Sequence, residues 1–278
     1  EYPYCSTCFR ERHQDGIQDY YYKPEPIFYG NGPRFFGVEL EIDGAGEYNK
    51  NAKRILDAVN TGDEYIYCKH DGSLDDGIEI VSHPCTLQFH MDKMPWEDVM
   101  DIAKEHGFRS HDAGTCGLHV HVSRNFFGND MVEQDLAIAK LIMLVDKFWD
   151  KIVPFTRRNS SQLSRWANKN CIDIVESDNL EDVQSKMNDQ KRQGRYHAIN
   201  LQNTYTIEFR IFRGTLRYET FIATLQFVHT LSNYAKSVPL NDIYTVTWDD
   251  IFANTEFEEL RSYMQSKGLL ETATSENN

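Results

Sequence analysis

Ionisable side chains alternate with apolar ones in four short segments of the chain, and these side chains could carry chemistry. In segment 36–43 the carboxylates of Glu39 and Glu41 alternate with aliphatic residues. Successive side chains of a strand point to opposite faces, so each segment is predicted to be a strand with its ionisable groups on the non-core face. The other three segments are 77–82 with Glu79, 117–123 with His119 and His121, and 205–212 with Glu208 and Arg210.

Carboxylates gathered on one surface repel each other and are costly to bury unless cations neutralise them. Mg²⁺ and Mn²⁺ bind carboxylate oxygens and tolerate a single imidazole. Asp71 joins the set because the loop that holds it leads directly into the segment of Glu79. We therefore predict one acidic metal-binding face formed by Glu39, Glu41, Asp71, Glu79, His119 and Glu208.

Each motif also has a simpler interpretation. The first acidic pair is typical of a solvated strand face, and the Asp-Gly dipeptide in segment 70–74 is typical of a hairpin loop. His119 and His121 have the spacing of zinc ligands, which gives a metal-dependent hydrolase as an alternative function. Glu208 and Arg210 are either a structural ion pair or a site where the arginine stabilises a transferring phosphoryl group. A third alternative is a non-catalytic interaction module.

The strands are predicted to form an antiparallel sheet with one covered side, because each of them has a single apolar face. Segment 157–175 fits neither period and is predicted to be a mobile basic loop, and Arg195, Tyr196 and Asn200 are placed on a further candidate strand. Neither glycine-rich nucleotide motif, GxxxxGK[ST] or GxGxxG, occurs, so a nucleotide would have to be held by metals and arginines. Apolar periodicity predicts helices over 50–60, 95–106, 130–153, 178–192, 218–237 and 248–267.

Bulk composition excludes some classes of protein. The 278 residues include 29 Lys and Arg against 43 Asp and Glu, a formal charge of −14, which does not suit general nucleic-acid binding. No apolar stretch approaches the roughly 20 residues that cross a bilayer, so no membrane partner is expected. The first residues lack the pattern of a signal peptide, and six scattered cysteines are too few for a disulfide scaffold. We therefore expect a cytoplasmic location.

The amino-terminal segment 1–33 is predicted to be a separate arm that contains Cys5 and Cys8. These cysteines are either half of a structural zinc site, completed by His13 or by cysteines further upstream, or two free thiols in a flexible arm. The catalytic domain is predicted over 34–270, followed by a flexible tail at 271–278.

The motifs, in their order along the chain, resemble those of the amidoligase family of phages and bacteria, which is similar to glutamine synthetase and glutamate–cysteine ligase. The resemblance covers about residues 34–240. It implies an α+β fold in which a curved antiparallel sheet, with helices on one face, resembles the glutamine synthetase catalytic domain. The motifs that carry it are Gly37-Val-Glu39-Leu-Glu41, Asp71-Gly-Ser with Gly77-Ile-Glu79, Cys116-Gly-Leu-His119-Val-His121, and Arg195-Tyr196 with Thr206-Ile-Glu208-Phe-Arg210.

The resemblance also implies roles for individual residues. One Mg²⁺ or Mn²⁺ would be held by Glu41, Asp71 and Glu79, and a second, facing the ATP phosphates, by Glu39, His119 and Glu208. The catalytic set would be Glu208, Arg210 and Arg195, with Arg210 stabilising the transferring γ-phosphoryl group. Arg195, Arg213 and His119 would join Arg210 in contacting ATP. Asp71 departs from the pattern, because glutamine synthetases have a glutamate at this position.

The activity implied by the resemblance is ATP- and Mg²⁺-dependent ligation of a carboxylate to an amine. ATP would convert the carboxylate to an acyl phosphate, and the amine would then displace phosphate to give an amide. The substrates would be an amino acid, a peptide or a protein, and the location would be the cytoplasm of a bacterial host if a phage encodes the chain. The sequence leaves the identity of both substrates and the oligomeric state open.

Overall fold

The apolar alternation forms strands at the predicted places. A computed structural model describes residues 16–271, and within this range the chain is a mixed α/β structure with an open seven-stranded sheet. The strands follow each other in the sheet in the order β1-β3-β4-β2-β5-β7-β6. Their bounds are β1 Ile17–Gln18, β2 Phe36–Ile42, β3 Ile66–Lys69, β4 Ile78–Ser82, β5 Gly117–Ser123, β6 Ile199–Asn200 and β7 Thr206–Arg213.

The six predicted helical segments are helical, and two of them divide into two helices. The predicted helix 130–153 divides into Met131–Lys147 and Trp149–Thr156, and the predicted helix 248–267 divides into Trp248–Phe252 and Glu258–Ser266. In the described residues the helices are α1 Asn49–Val59, α2 Leu87–Asp92, α3 Trp96–Glu105, α4 Met131–Lys147, α5 Trp149–Thr156, α6 Ser160–Trp166, α7 Leu180–Arg192, α8 Tyr218–Ser237, α9 Trp248–Phe252 and α10 Glu258–Ser266. None of these helices is both long and apolar enough to span a membrane.

The chain divides into two compact units. The described part of the first unit comprises residues 16–32, 36–118 and 213–218. Its strands β2, β3 and β4 pair antiparallel, and β1 pairs parallel with β3. His90 is fully buried here, where its Nε2 contacts the carbonyl of Phe36 at 3.1 Å and its Nδ1 accepts the Trp96 indole N–H at 3.1 Å. These bonds connect α2 and α3 to the start of β2.

The second unit comprises residues 33–35 and 119–212 and the described residues 219–271. Strands β6 and β7 pair antiparallel. Its core contains stacked aromatic rings, with centroids 4.2 Å apart for Phe155 and Phe227 and 5.1 Å apart for Phe227 and Phe252. Buried Lys140 donates to the carbonyls of Lys236 and Val238, and thereby supplies donors at the carboxyl end of α8.

Three structural predictions are wrong. Segment 157–175 contains α6, which begins at a capping box between Asn159 and Gln162, so this part of the predicted loop is helical. Strand β4 has no solvent face, because all residues of Ile78–Ser82 are buried. In addition, Arg195 and Tyr196 lie outside β6, which is shorter than the candidate strand, and the sequence did not predict β1 or β3.

Candidate functional site

One row of side chains across the first unit contains two carboxylates and one lysine. Glu41 of β2 lies opposite Glu79 of β4, and Glu79 in turn lies opposite Lys69 of β3. Residues paired in this way across adjacent strands point to the same face of the sheet. The Lys69 Nζ is 3.6 Å from Glu79 Oε2, and both side chains are largely buried. The Glu41 Oε2 accepts a short hydrogen bond from the Gly117 N–H.

Asp71 completes a group of three carboxylates in this unit. Ligand oxygens of Glu41, Asp71 and Glu79 all lie within 4.8 Å of one another. Burial raises the pKa of Glu79 well above its ordinary value, and the negative charges of Glu39, Glu41 and Asp71 raise it further, while Lys69 opposes the shift. One lysine therefore does not compensate the negative charge at this place.

The loop that carries Asp71 is held by Asp43, a residue that the sequence did not single out. The Asp43 carboxylate accepts hydrogen bonds from the N–H groups of Gly44, Asp75 and Asp76 and from the Thr115 hydroxyl. Burial by itself would raise the pKa of Asp43, but these hydrogen bonds outweigh it and lower the pKa. The sequence did contain one sign of this role, because Asp43 continues the alternation of Glu39 and Glu41 along the strand.

Gly77, at the end of the same loop, is required by close backbone packing. A Cβ at this position would lie 2.1 Å from the carbonyl oxygen of Ile42 and 2.6 Å from the Cα of Asp43. Only glycine permits this approach, which brings the loop against the end of β2 just before Glu79.

Glu39 lies two residues before Glu41 on β2 and is half-buried. Glu39 of β2 lies opposite Val81 of β4, and Val81 lies opposite Tyr67 of β3. The side chains of Glu39 and Tyr67 therefore point to the same face of the sheet. Burial raises the pKa of the Tyr67 phenol, and the negative charges of Glu39 and Glu79 raise it further. The hydroxyl of Tyr67 therefore stays protonated beside these carboxylates.

Glu208 of β7 is the centre of a polar cluster in the second unit. Its Oε1 is 3.6 Å from His119 Nδ1 and accepts a short hydrogen bond from Arg210 Nη1. Its Oε2 accepts hydrogen bonds from the amides of Asn200 at 2.7 Å and Asn203 at 3.2 Å. The buried carboxylate is thus fixed by a guanidinium and two amides, and the His119 imidazole lies next to it. The two asparagines were not predicted as site residues.

Arg210 keeps unused hydrogen-bonding capacity although it pairs with Glu208. Its Nε is buried and has no hydrogen-bond partner among residues 16–271. Its Cζ lies 5.9 Å from the Tyr196 ring centroid, and the Cζ of exposed Arg195 lies 5.0 Å from the same centroid. A buried guanidinium N–H without an acceptor is costly, so this donor suits an anion supplied by a ligand.

The structure places the predicted site residues in two units. The first unit contains the carboxylates of Glu39, Glu41, Asp71 and Glu79, together with Arg213 at the end of β7. The second contains His119, Glu208, Arg210 and Arg195, and also His121, whose Nδ1 is 3.1 Å from the Thr206 hydroxyl. The assignment of Glu39, His119 and Glu208 to one metal ion stays a prediction. Cys5 and Cys8 lie outside the described residues.

A comparison with protein families decides the class of protein. The family model described as putative amidoligase enzyme matches residues 55–232, which is more than half of the chain. The chain belongs to this family. The matched region of the amidoligase includes Asp71, Glu79 and the Glu208 cluster, whereas Glu39 and Glu41 precede it. A search of curated proteins found no match.

Membership in the family confirms the resemblance found in the motifs and favours an enzyme of the ligase type over the hydrolase alternative. The two clusters suit different parts of such chemistry. Three convergent carboxylates in the first unit are hard oxygen donors for a divalent cation, and the Glu208 cluster presents a positioned guanidinium for an anion.

Proposed function

We propose that this amidoligase is an ATP- and Mg²⁺-dependent carboxylate–amine ligase that forms an amide bond through an acyl phosphate. Two clusters support this proposal in a chain that belongs to the amidoligase family. One consists of three carboxylates whose oxygens lie within 4.8 Å of one another, and the other contains an arginine with an unused buried hydrogen-bond donor. Its substrates are a carboxylate and an amine.

The residues of the first cluster fit a divalent cation. All three ligands are carboxylates, the donor type that Mg²⁺ and Mn²⁺ prefer, and burial together with neighbouring negative charges raises the pKa of Glu79, while Lys69 opposes the shift. Glu41, Asp71 and Glu79 would hold the ion. When bound, it would neutralise phosphate oxygens of ATP during transfer. Asp43 acts as a positioning residue, because its hydrogen bonds fix the loop of Asp71.

The second cluster is suited to the phosphoryl group. Glu208 accepts hydrogen bonds from Arg210, Asn200 and Asn203, which fixes the carboxylate and the guanidinium that is paired with it. The free Nε donor of Arg210 would then bind a γ-phosphate oxygen, with charge stabilisation that needs no rearrangement during the reaction. Arg195 supplies a second positive charge next to Tyr196.

The proposed reaction has two steps. In the first, an oxygen of the substrate carboxylate forms a bond to the γ-phosphorus, the bond from that phosphorus to the bridging oxygen breaks, and ADP leaves. In the second, the amine nitrogen attacks the acyl carbon, the carbon–oxygen bond to phosphate breaks, and the nitrogen loses a proton. ATP, carboxylate and amine become amide, ADP and phosphate.

Thermal unfolding of the full chain with Mg²⁺ and ADP tests the proposal first. Ligand binding to the native state should raise the melting temperature. Phosphate release is then measured against panels of amino acids and peptides, with ATP and Mg²⁺ present. We expect Arg210→Gln to lower the rate by about 100-fold or more, whereas Arg192→Gln, an exposed arginine on α7, keeps it.

The proposal is wrong if wild-type protein shows neither a thermal shift with Mg²⁺–ADP nor phosphate release with any member of the panels. It is also wrong if folded Arg210→Gln releases phosphate as fast as wild type. A cooperative melting transition of each variant establishes that it is folded.

A further inference from the structure

An open cavity of about 820 Å³, lined mainly by polar residues, lies in the second unit between α4, α7 and the loop after β6. Its volume is in the range of pockets that bind small molecules. From α4 it is lined by Gln134 and Asp135, which follow Met131 at helical spacing and share its face. Lys191 of α7 lines it as well, together with Arg124 and the loop residues Gln202 and Asn203.

The charges around this cavity leave one cation without a carboxylate partner. The buried Asp135 carboxylate pairs with Lys191 at 2.7 Å. The carboxylate of Asp130, which also lines the cavity, accepts hydrogen bonds from the N–H groups of Val132 and Glu133, and so caps α4. Arg124 forms no direct ion pair with either acid in the described part of the chain.

Arg124 is instead fixed by backbone carbonyls. Its Nε donates to the Asn203 carbonyl at 3.0 Å and its Nη2 to the Leu201 carbonyl at 2.6 Å. No hydrogen bond of its Nη1 occurs within residues 16–271. Burial lowers the pKa of Arg124, and Asp135 opposes the shift only from a distance. The guanidinium is therefore desolvated, rigidly held and left with one unused donor group, which suits a carboxylate.

Asn203 connects this cavity to the Glu208 cluster. Its backbone carbonyl accepts from Arg124, and its side-chain amide donates to Glu208 Oε2 at 3.2 Å. The same residue thus touches the cavity's cation and the carboxylate that holds Arg210. The Gln134 amide, whose Nε2 already donates to the Gly128 carbonyl at 3.1 Å, keeps its oxygen as an acceptor, and the Gln202 amide adds a donor and an acceptor of the kind that a peptide backbone requires.

From these contacts we propose that the Arg124 cavity binds the carboxylate substrate, an amino acid or short peptide, with its carboxylate on Arg124. This inference rests on the proposed ligase function and adds a substrate class and a site to it. The carboxylate hydrogen bonds to Arg124 Nη1, and the peptide groups contact Gln134 and Gln202.

The test uses the full chain and ligand-observed NMR, which detects weak binding. The probes are N-acetylated dipeptides ending in Gly, Glu, Lys or Phe, each compared with its C-terminal amide. We expect the carboxylate form of at least one probe to bind about tenfold or more tightly than the amide, and this preference to weaken at high salt. Arg124→Gln should abolish the preference, and Arg192→Gln should keep it.

Arg124 also holds the loop after β6, so replacing it could disturb this loop, and Lys191→Met therefore provides a second variant. We expect Lys191→Met to weaken binding of the carboxylate probes. Thermal melting establishes that each variant is folded. Equal binding of carboxylate and amide forms to wild type, or no binding of any probe, would overturn the inference.

Mg²⁺–ADP binding is measured in parallel. If the nucleotide binds and no carboxylate does, the site assignment alone is wrong; if neither the thermal shift nor phosphate release occurs, the proposed function is wrong.

Discussion

Replacing Glu79 by glutamine should have opposite effects on stability with and without a divalent cation. Glu79 lies between Glu41 and Lys69 in the row across the first unit, and Asp71 approaches it from the loop. The substitution keeps the shape of the side chain and removes one negative charge. In the absence of metal it relieves repulsion, and in the presence of metal it removes a ligand.

The magnitude follows from the distances. At an effective dielectric constant of about 20, two carboxylates separated by 4.8 Å repel by about 3 kcal/mol. Glu79 has three such neighbours in Glu39, Glu41 and Asp71, against an attraction of about 5 kcal/mol to Lys69 at 3.6 Å. Solvent screens the half-exposed Glu39 and Asp71, and this strongly reduces their repulsion of Glu79. Without metal, Glu79→Gln should therefore raise the free energy of unfolding by about 1–2 kcal/mol.

Saturating Mg²⁺ should reverse this order. A ligand at about 100 times its dissociation constant stabilises the native state by about 2.7 kcal/mol, and the variant with one ligand fewer should gain much less. The assay is urea unfolding at pH 8 in EDTA and in MgCl2, with Glu97→Gln as a control for loss of one exposed carboxylate. Destabilisation of the protein by Glu79→Gln in EDTA, or a response of this variant to Mg²⁺ as strong as that of wild type, would contradict the prediction.

Further predictions concern packing and buried groups. Gly77→Ala should cost about 1–3 kcal/mol in urea unfolding because its Cβ meets backbone at 2.1 Å, while Gly62→Ala, with open space around it, should be nearly neutral. Burial lowers the pKa of His90 to about 4, so the native state binds fewer protons than the unfolded state between pH 6.5 and 4. Stability should fall by about 3 kcal/mol as pH decreases through this range, and His90→Gln should flatten the dependence; parallel curves for the two proteins would contradict this. Lys140→Met should cost about 1–3 kcal/mol by leaving two carbonyls without a donor, and the exposed control Lys93→Met should cost much less.

Local patterns in the sequence were sufficient to locate most of the strands and helices. Period-two alternation located β2, β5 and β7, because the faces of a strand differ regardless of the partner strand. Apolar periodicity located the long helices for the same local reason. Segment 160–166 was missed, since a capping box and local packing form this short helix without a clear apolar stripe. Strand β3 became recognisable only through its pairing with β4.

The composition of the site was partly predictable, and its charge balance was not. The sequence identified Glu41, Asp71 and Glu79 as carboxylates that could meet, because strands and a connecting loop restrict where such side chains can go. The position of Lys69 opposite Glu79, and the support of the loop by Asp43, depend on register and backbone approach, which residue types do not encode. The sequence thus determined which groups are available for chemistry. Tertiary structure decided which charges compensate each other, because that depends on distances of a few ångströms between residues far apart in the chain.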